Sequence, residues 1–194
     1  MHTPARTHAD DSVDFTDEEA PRPTPLPSPT ASASPLPLED LIYLELVYGR
    51  VVIRTRPDLA PKTVARMKTL CRQRFFDGII FHRVIDNFMA QGGDPVGTGV
   101  GGSGRTIPAE FSSAKHVRGT VNMARSEDIN SADSQFCLFF APAPWLDGQY
   151  TIWGDVISGM EHVDKIHRGE PPLDPDNIVT MRVAADVEAV EAAK

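Results

Sequence analysis

Four side chains crowd into one short stretch of this 194-residue chain: Arg83, Phe88, Met89 and Gln91, all within Phe81-His82-Arg83-Val84-Ile85-Asp86-Asn87-Phe88-Met89-Ala90-Gln91-Gly92-Gly93-Asp94. An arginine stays charged at any working pH and presents a rigid fork of N–H groups. A glutamine amide both donates and accepts. Two bulky apolar side chains beside these groups offer a surface that grips hydrocarbon. Such a set holds a substrate and aims donors at a polarised atom. Two further segments, Ser134-Gln135-Phe136 and Trp145-Leu146-Asp147-Gly148, add a second glutamine and more apolar surface.

Other patterns point to different chemistry and lack the context it needs. Gly97-Thr98-Gly99-Val100-Gly101-Gly102 satisfies GxGxxG, but a dinucleotide site needs a helix opening at the last glycine, and Ser103-Gly104-Arg105-Thr106-Ile107-Pro108 cannot begin one there. Glu161, His162, Asp164 and His167 contain no i,i+4 histidine pair and read as a solvated helix face. His82, Ser134 and Asp94 resemble a hydrolytic triad in composition alone, without a nucleophile elbow or oxyanion-hole motif. His82 is expected to face away from Arg83 by strand alternation, as a satisfied barrel histidine.

The elements that must position these residues divide the chain in two. Residues 1–38 hold eight of the 17 prolines and six acidic residues between Asp10 and Glu19. Too little apolar surface is present there to offset chain entropy, so a disordered, partly polyproline-II arm is expected. It has no PxxP spacing and reads as a spacer before a folded domain over 39–194. Leu41–Val47 and Val51–Ile53 flank Tyr48-Gly49-Arg50 as a hairpin. A helix follows from Pro61, with Val64, Met67, Cys71 and Phe75 facing the core. Apolar runs at 79–85, 118–123, 135–140 and 150–157 read as strands. A short helix with Met160, Val163 and Ile166 inward ends near Gly169, and 178–183 is a last strand. Many short strands with two helices indicate a sandwich or a barrel.

Net charge is −8, with 24% charged and 41% apolar residues. No basic block offers a face to nucleic acid or anionic membrane. No apolar window reaches a membrane-spanning length, and acidic residues fill the place of a signal-peptide core, so a cytoplasmic protein is expected. Cys71 and Cys137 are the only cysteines; they read as buried free thiols in a reducing compartment, with pairing as the alternative. Nothing demands an oligomer, and a monomer is expected.

The three segments quoted at the outset resemble the signature of cyclophilin-type peptidyl-prolyl cis–trans isomerases. The resemblance covers roughly residues 40–188 and implies a closed eight-stranded antiparallel β-barrel capped by two α-helices. It also implies rotation about X-Pro bonds in peptides and in unfolded or folding proteins, with no cofactor and no metal. Arg83 matches the family arginine that donates to the prolyl nitrogen; its alternative is a surface arginine paired with Asp86 or Asp94. Phe88 and Met89 match the residues lining the proline pocket, with Trp145 and Leu146 as further wall, or else ordinary core packing. Gln91 is expected to bind substrate backbone, its alternative being a strand residue facing water. Gln135 binds the substrate chain or orients Arg83. Ala124 and Arg125 sit where relatives contact peptide through main chain, Arg125 replacing a frequent asparagine. Gly99 belongs to the Gly-rich loop that lets backbone approach the peptide. Trp145 further implies binding of cyclosporin-like cyclic peptides.

Two positions depart from the family pattern. Cys137 stands where phenylalanine is expected and should shorten one wall of the slot, unless Phe139 or Phe140 compensates. Tyr150 stands where many relatives have histidine, and no proton transfer depends on it. The alternative function is a non-catalytic module with the same groove, which would bind proline peptides without turning them.

Overall fold

The computed structural model of the protein describes residues 35–194. The expected arm therefore lies, up to residue 34, outside the described residues.

The fold is mainly β. Eight strands, β1 (Leu41–Leu46), β2 (Gly49–Thr55), β3 (Arg83–Ile85), β4 (Met89–Gly92), β5 (Thr120–Met123), β6 (Phe136–Phe139), β7 (Ile152–Ser158) and β8 (Thr180–Val183), form one antiparallel curled sheet in the order β3-β4-β6-β5-β7-β2-β1-β8. β3 and β8 share no ladder. The seam is crossed instead by isolated bridges, Ile80 to Asn177 and Val84 of β3 to Gly169. The expected closure is thus made by bridges rather than by a continuous strand pair. The hairpin turns at Val47-Tyr48, with Gly49 and Arg50 already in β2 and paired to Leu46 and Glu45.

Alternation decides what faces inward. Ile42, Leu44 and Leu46 of β1 are buried, as are Val51 and Ile53 of β2 and Met181 and Val183 of β8. Phe76, Phe136 and Trp153 fill the interior edge to face, with ring centroids 5.8 and 6.2 Å apart. Truncating such a ring costs about 3–5 kcal/mol.

Helix α1 (Pro61–Arg72) starts on the proline, and its first free N–H groups, of Lys62 and Thr63, are taken by the Glu110 carboxylate at 3.0 and 2.9 Å. It buries Val64, Met67 and Cys71, but Phe75 lies beyond its end and only half-buried; Phe76 takes the core place instead. α2 (Met160–Val163) is a single turn, shorter than expected, although Val163 and Ile166 are buried as anticipated. A third helix, α3 (Ala184–Ala192), was not anticipated; Asp186 on it pairs with Arg72 at 2.9 Å.

Candidate active site

The cleft is built on the outer face of four adjacent strands. Register places Arg83 opposite Gln91, Gln91 opposite Cys137, and Cys137 opposite Asn122, a single row across β3, β4, β6 and β5. Two residues along, Ile85, Met89 and Phe139 form the next row. The residues between, Val84, Ala90, Leu138 and Val121, point into the barrel core. The period of two thus separates one apolar cluster inside the barrel from a second outside it, made of Met89, Cys137, Phe139 and Ala143 with Ile85, Phe88, Ala124 and Leu146 against them.

Over that second cluster lies a cavity of about 650 Å³, within the usual range for a ligand site. Arg83, Phe88, Met89, Gln91, Gly99, Ala124, Arg125, Cys137, Leu146 and Tyr150 all line it. A second cavity of about 420 Å³ adjoins it and shares Gln91, Gly99, Ala124 and Arg125. Gln135 lines this second one rather than the first. Trp145 corrects the expectation of a further wall: it is 59% exposed, lines neither cavity, and leans on Phe88 with ring centroids 5.7 Å apart. The 3-10 turn Pro144–Leu146 directs Leu146 toward the slot and leaves the indole at the rim.

Strand alternation also settles the wall opposite. Phe139 shares the face of Cys137 and lines the cavity, whereas Phe140 joins the core and packs under the Arg168 guanidinium at 4.1 Å. The Phe139 ring meets Phe88 at 5.7 Å and His116 at 5.1 Å. An aromatic wall is present, displaced by one step along β6 from the position where the resemblance implies it. Cys71 and Cys137 are both free, and burial pushes each thiol up to about 12, so neither is a thiolate at neutral pH.

A directed relay joins the polar residues. Arg83 Nη1 donates to Gln91 Oε1 at 3.5 Å, Gln91 Nε2 to Gln135 Oε1 at 2.9 Å, and Gln135 Nε2 to the carbonyls of Gly99 and Gly101, both at 2.9 Å. Because guanidinium only donates, it sets the orientation of both amides. Gln91 is therefore held by protein groups at both ends of its amide, where a free substrate contact was expected. Gln135 reaches Arg83 only through Gln91. The partner of Arg83 is neither Asp86 nor Asp94 but Glu170, whose Oε1 accepts from Nε at 2.7 Å. Asp86 pairs with Arg168, and Asp94 turns to main chain. Nη2 of Arg83 has no hydrogen-bond partner among the described residues. Arg125 bonds the Gln149 carbonyl at 3.0 Å and covers the Tyr150 ring at 4.5 Å, so its side chain braces the cleft wall.

The Gly-rich loop has a structural explanation for its glycines. Asp94 is buried and accepts from the N–H groups of Val96, Thr98 and Gly99 at 2.8, 3.0 and 2.6 Å. Burial alone would raise its carboxyl, but these donors and Gly101 N–H outweigh it and hold it below the ordinary carboxylate range. Asp133 collects the N–H groups of Ser103, Gly104 and Arg105 in the same way. A Cβ on Gly101 would lie 2.0 Å from an Asp94 oxygen, and one on Gly102 2.6 Å from an Asp133 oxygen. The loop is an anion nest already filled by the protein's own carboxylates.

Sequence reasoning missed several lining residues. His82 lines the cleft, buried, with neither ring nitrogen hydrogen-bonded to protein, which overturns the expectation of a satisfied histidine turned away. It precedes the first paired residue of β3, so alternation does not govern it. Burial lowers its pKa, with Asp94 opposing. Asn122 donates to His116 Nε2 at 3.1 Å, and His116 Nδ1 donates to Asp147 at 3.0 Å. This buried string ties the cleft floor to the Trp145-Leu146-Asp147 turn. Burial holds His116 neutral against Asp147, and its main-chain and ring N–H groups lower the Asp147 carboxyl. Glu170 and Pro171 also line the cavity; the sequence marks Gly169 only as the end of a helix. Among the described residues no cluster of acidic, histidine or cysteine side chains could hold a metal.

Fold and site together define a class: a curled antiparallel half-barrel whose outer face carries an apolar slot edged by an arginine–glutamine relay. The family model for "Cyclophilin type peptidyl-prolyl cis-trans isomerase/CLD" matches residues 41–183. A probable peptidyl-prolyl cis-trans isomerase of Brucella abortus is 45% identical over 168 residues, covering 77% of this chain and 85% of that protein. A peptidyl-prolyl cis-trans isomerase of Schizosaccharomyces pombe is 37% identical over 148 residues, 71% of this chain and 95% of the other. Among solved structures, a cyclophilin from Hirschia baltica superposes with a TM-score of 0.71 at 26% identity, over 77% of this chain and 76% of its own. A Cryptosporidium parvum cyclophilin crystallised in the presence of the dipeptide Ala-Pro gives 0.68 at 28%, over 74% and 98%. The chain belongs to the cyclophilin-type peptidyl-prolyl cis–trans isomerase family, and it is an isomerase.

Proposed function

We propose that the cleft binds proline-containing segments of peptides and of unfolded or folding proteins and turns their X-Pro bonds through Arg83. Amide resonance opposes that rotation by about 18–20 kcal/mol, and uncatalysed exchange takes tens to hundreds of seconds. Millisecond turnover requires about 7 kcal/mol off the barrier. No bond breaks, so no nucleophile is needed. The pyrrolidine ring enters the slot between Phe88, Met89, Phe139 and Leu146. As the amide twists, the prolyl nitrogen becomes pyramidal and gains a lone pair. The free N–H groups of Arg83 donate to it, favouring the twisted state over the planar one. Gln91 accepts from one arm of that fork at 3.5 Å, and Ala124, which also lines the cleft, offers its carbonyl to the flanking peptide.

The observation that carries this reading is the presence of the Arg83 guanidinium and the Phe88–Met89–Leu146 surface around one cavity. The Ala-Pro dipeptide present with the C. parvum cyclophilin supports a proline ligand. The exposed Trp145 indole, resting on Phe88 at the rim, supports a contact with cyclosporin-like cyclic peptides. A cytoplasmic, monomeric folding assistant is the setting we infer from composition. NMR exchange on an Ala-Pro peptide tests the activity. The protein at micromolar concentration is expected to accelerate cis–trans exchange by about a hundredfold or more; binding without acceleration would identify the groove as a binding module.

A further inference from the structure

Resting on that reading of Arg83, we propose that Glu170 is the positioning residue that holds the guanidinium over the slot. The backbone places it there. Gly169 and Val84 exchange both main-chain hydrogen bonds, N–H to C=O at 2.8 Å in each direction. In an antiparallel bridge this sets residue 170 directly beside residue 83, extending the row Arg83–Gln91–Cys137–Asn122 by one member. The chain turns sharply to deliver it. Gly169 has φ +150°, and a Cβ there would lie 2.5 Å from Pro172 Cα.

The two contacts of Arg83 differ in strength. The one to Gln91, at 3.5 Å, is at the limit of a hydrogen bond, whereas the one to Glu170, between opposite charges, is 2.7 Å. The arginine side chain is 44% exposed and carries several rotatable bonds, so without the short contact it samples other rotamers. Glu170 engages Nε and leaves the terminal nitrogens toward the cleft that both residues line. A carboxylate on this edge would weaken the arginine if charge alone mattered; its placement on Nε instead spares the donors that meet the prolyl nitrogen.

The test combines Glu170→Ala, Glu170→Gln, Arg83→Ala and the double variant Glu170→Ala/Arg83→Ala. Glu170→Ala is expected to lower kcat about five- to tenfold with KM within a factor of about two, the signature of an interaction that matters in the transition state. Glu170→Gln keeps an acceptor for Nε–H and should restore at least about half of the wild-type kcat. In the Arg83→Ala background Glu170→Ala should cost nothing further, because the two act as one unit. Independently of turnover, the Arg83 Nε–H proton should be observable by NMR and protected from exchange in the full chain, and lose protection in Glu170→Ala. Wild-type kcat in Glu170→Ala, or an equal loss in both backgrounds, would overturn the proposal. An inactive protein with a protected Nε–H would instead refute the isomerase reading of Arg83 and leave the positioning contact standing.

Discussion

Replacing Arg83 by alanine separates a proline-turning site from a proline-binding one, and the structure sets the size of the effect. Its side chain is 44% exposed and that of Glu170 54%, so no buried charge is stranded when the pair is broken. The loss in stability should stay below about 1 kcal/mol, the usual range for exposed pairs. Catalysis should suffer much more. Removing a preorganised donor from a transition state costs about 2.7–4 kcal/mol, or roughly 10²–10³ in kcat. The apolar slot of Phe88, Met89, Phe139 and Leu146 is untouched, so KM should change by less than about threefold. Arg83→Lys keeps a charge but loses the planar fork that engages Glu170 and Gln91 together, and should recover no more than about a tenth of the activity. The assay is NMR exchange or protease-coupled turnover over a range of peptide concentrations, with thermal unfolding as the control for folding. A folded Arg83→Ala protein with kcat/KM within threefold of wild type would refute the proposed role.

Other expectations follow from the same geometry. Cys137→Phe should raise kcat/KM by about two- to fivefold through KM, because added ring surface strengthens ground-state contact; a fall would show that Phe139 already completes the wall and that a second ring blocks the slot. Phe139→Ala should destabilise the protein by about 3–5 kcal/mol and raise KM, read by urea unfolding and by kinetics on whatever folds; an unchanged KM would show that the slot does not use this ring. Stability should fall on acidification. His82 and His116 are held by burial below the ordinary histidine value, so the unfolded chain takes up protons the native state refuses as pH drops below about 6.5. The depressed carboxyls of Asp94 and Asp147 add a further loss below about pH 4. Equal urea midpoints at pH 7.5 and 5 would contradict this. Activity, by contrast, should be flat from pH 7 to about 9.5, since the Cys137 thiol in the cleft wall, pushed up to about 12, stays protonated there. Deleting residues 1–38 should leave peptide turnover unchanged, a prediction resting on their composition. The deletion must stop there, because Glu39 and Asp40 pair with Arg72 and Lys68 at 2.8 and 3.1 Å.

Particular residues show why some features were legible and others were not. The Leu41–Leu46 alternation and Pro61 at a helix start are local signals, and each lies on the element expected. Phe75 and Phe76 differ by one position, and where a helix ends is a matter of tertiary contact, so Phe76 is fully buried while Phe75 packs half-buried against the edge of the core. α3 has no amphipathic stripe to betray it; Asp186 and Glu188, bonded to Arg72 and Tyr43, tie it down instead. Trp145 and Leu146 are neighbours in sequence, yet the 3-10 turn sends one to the rim and one to the slot. Asn122 and His116 gave no local sign of belonging to the site.

By itself the order of residues determined the chemistry on offer: a permanent charge, two amides and a set of apolar rings, in a pattern that belongs to one family. It also set the two-residue rhythm that separates barrel core from cleft, because side-chain direction along a strand is local. Tertiary structure alone decided which strands lie side by side, and hence that Glu170, 87 residues beyond Arg83, became its partner while nearby Asp86 and Asp94 did not. Ion pairing depends on distance in space, and only the register of a bridge at the sheet's seam creates that distance.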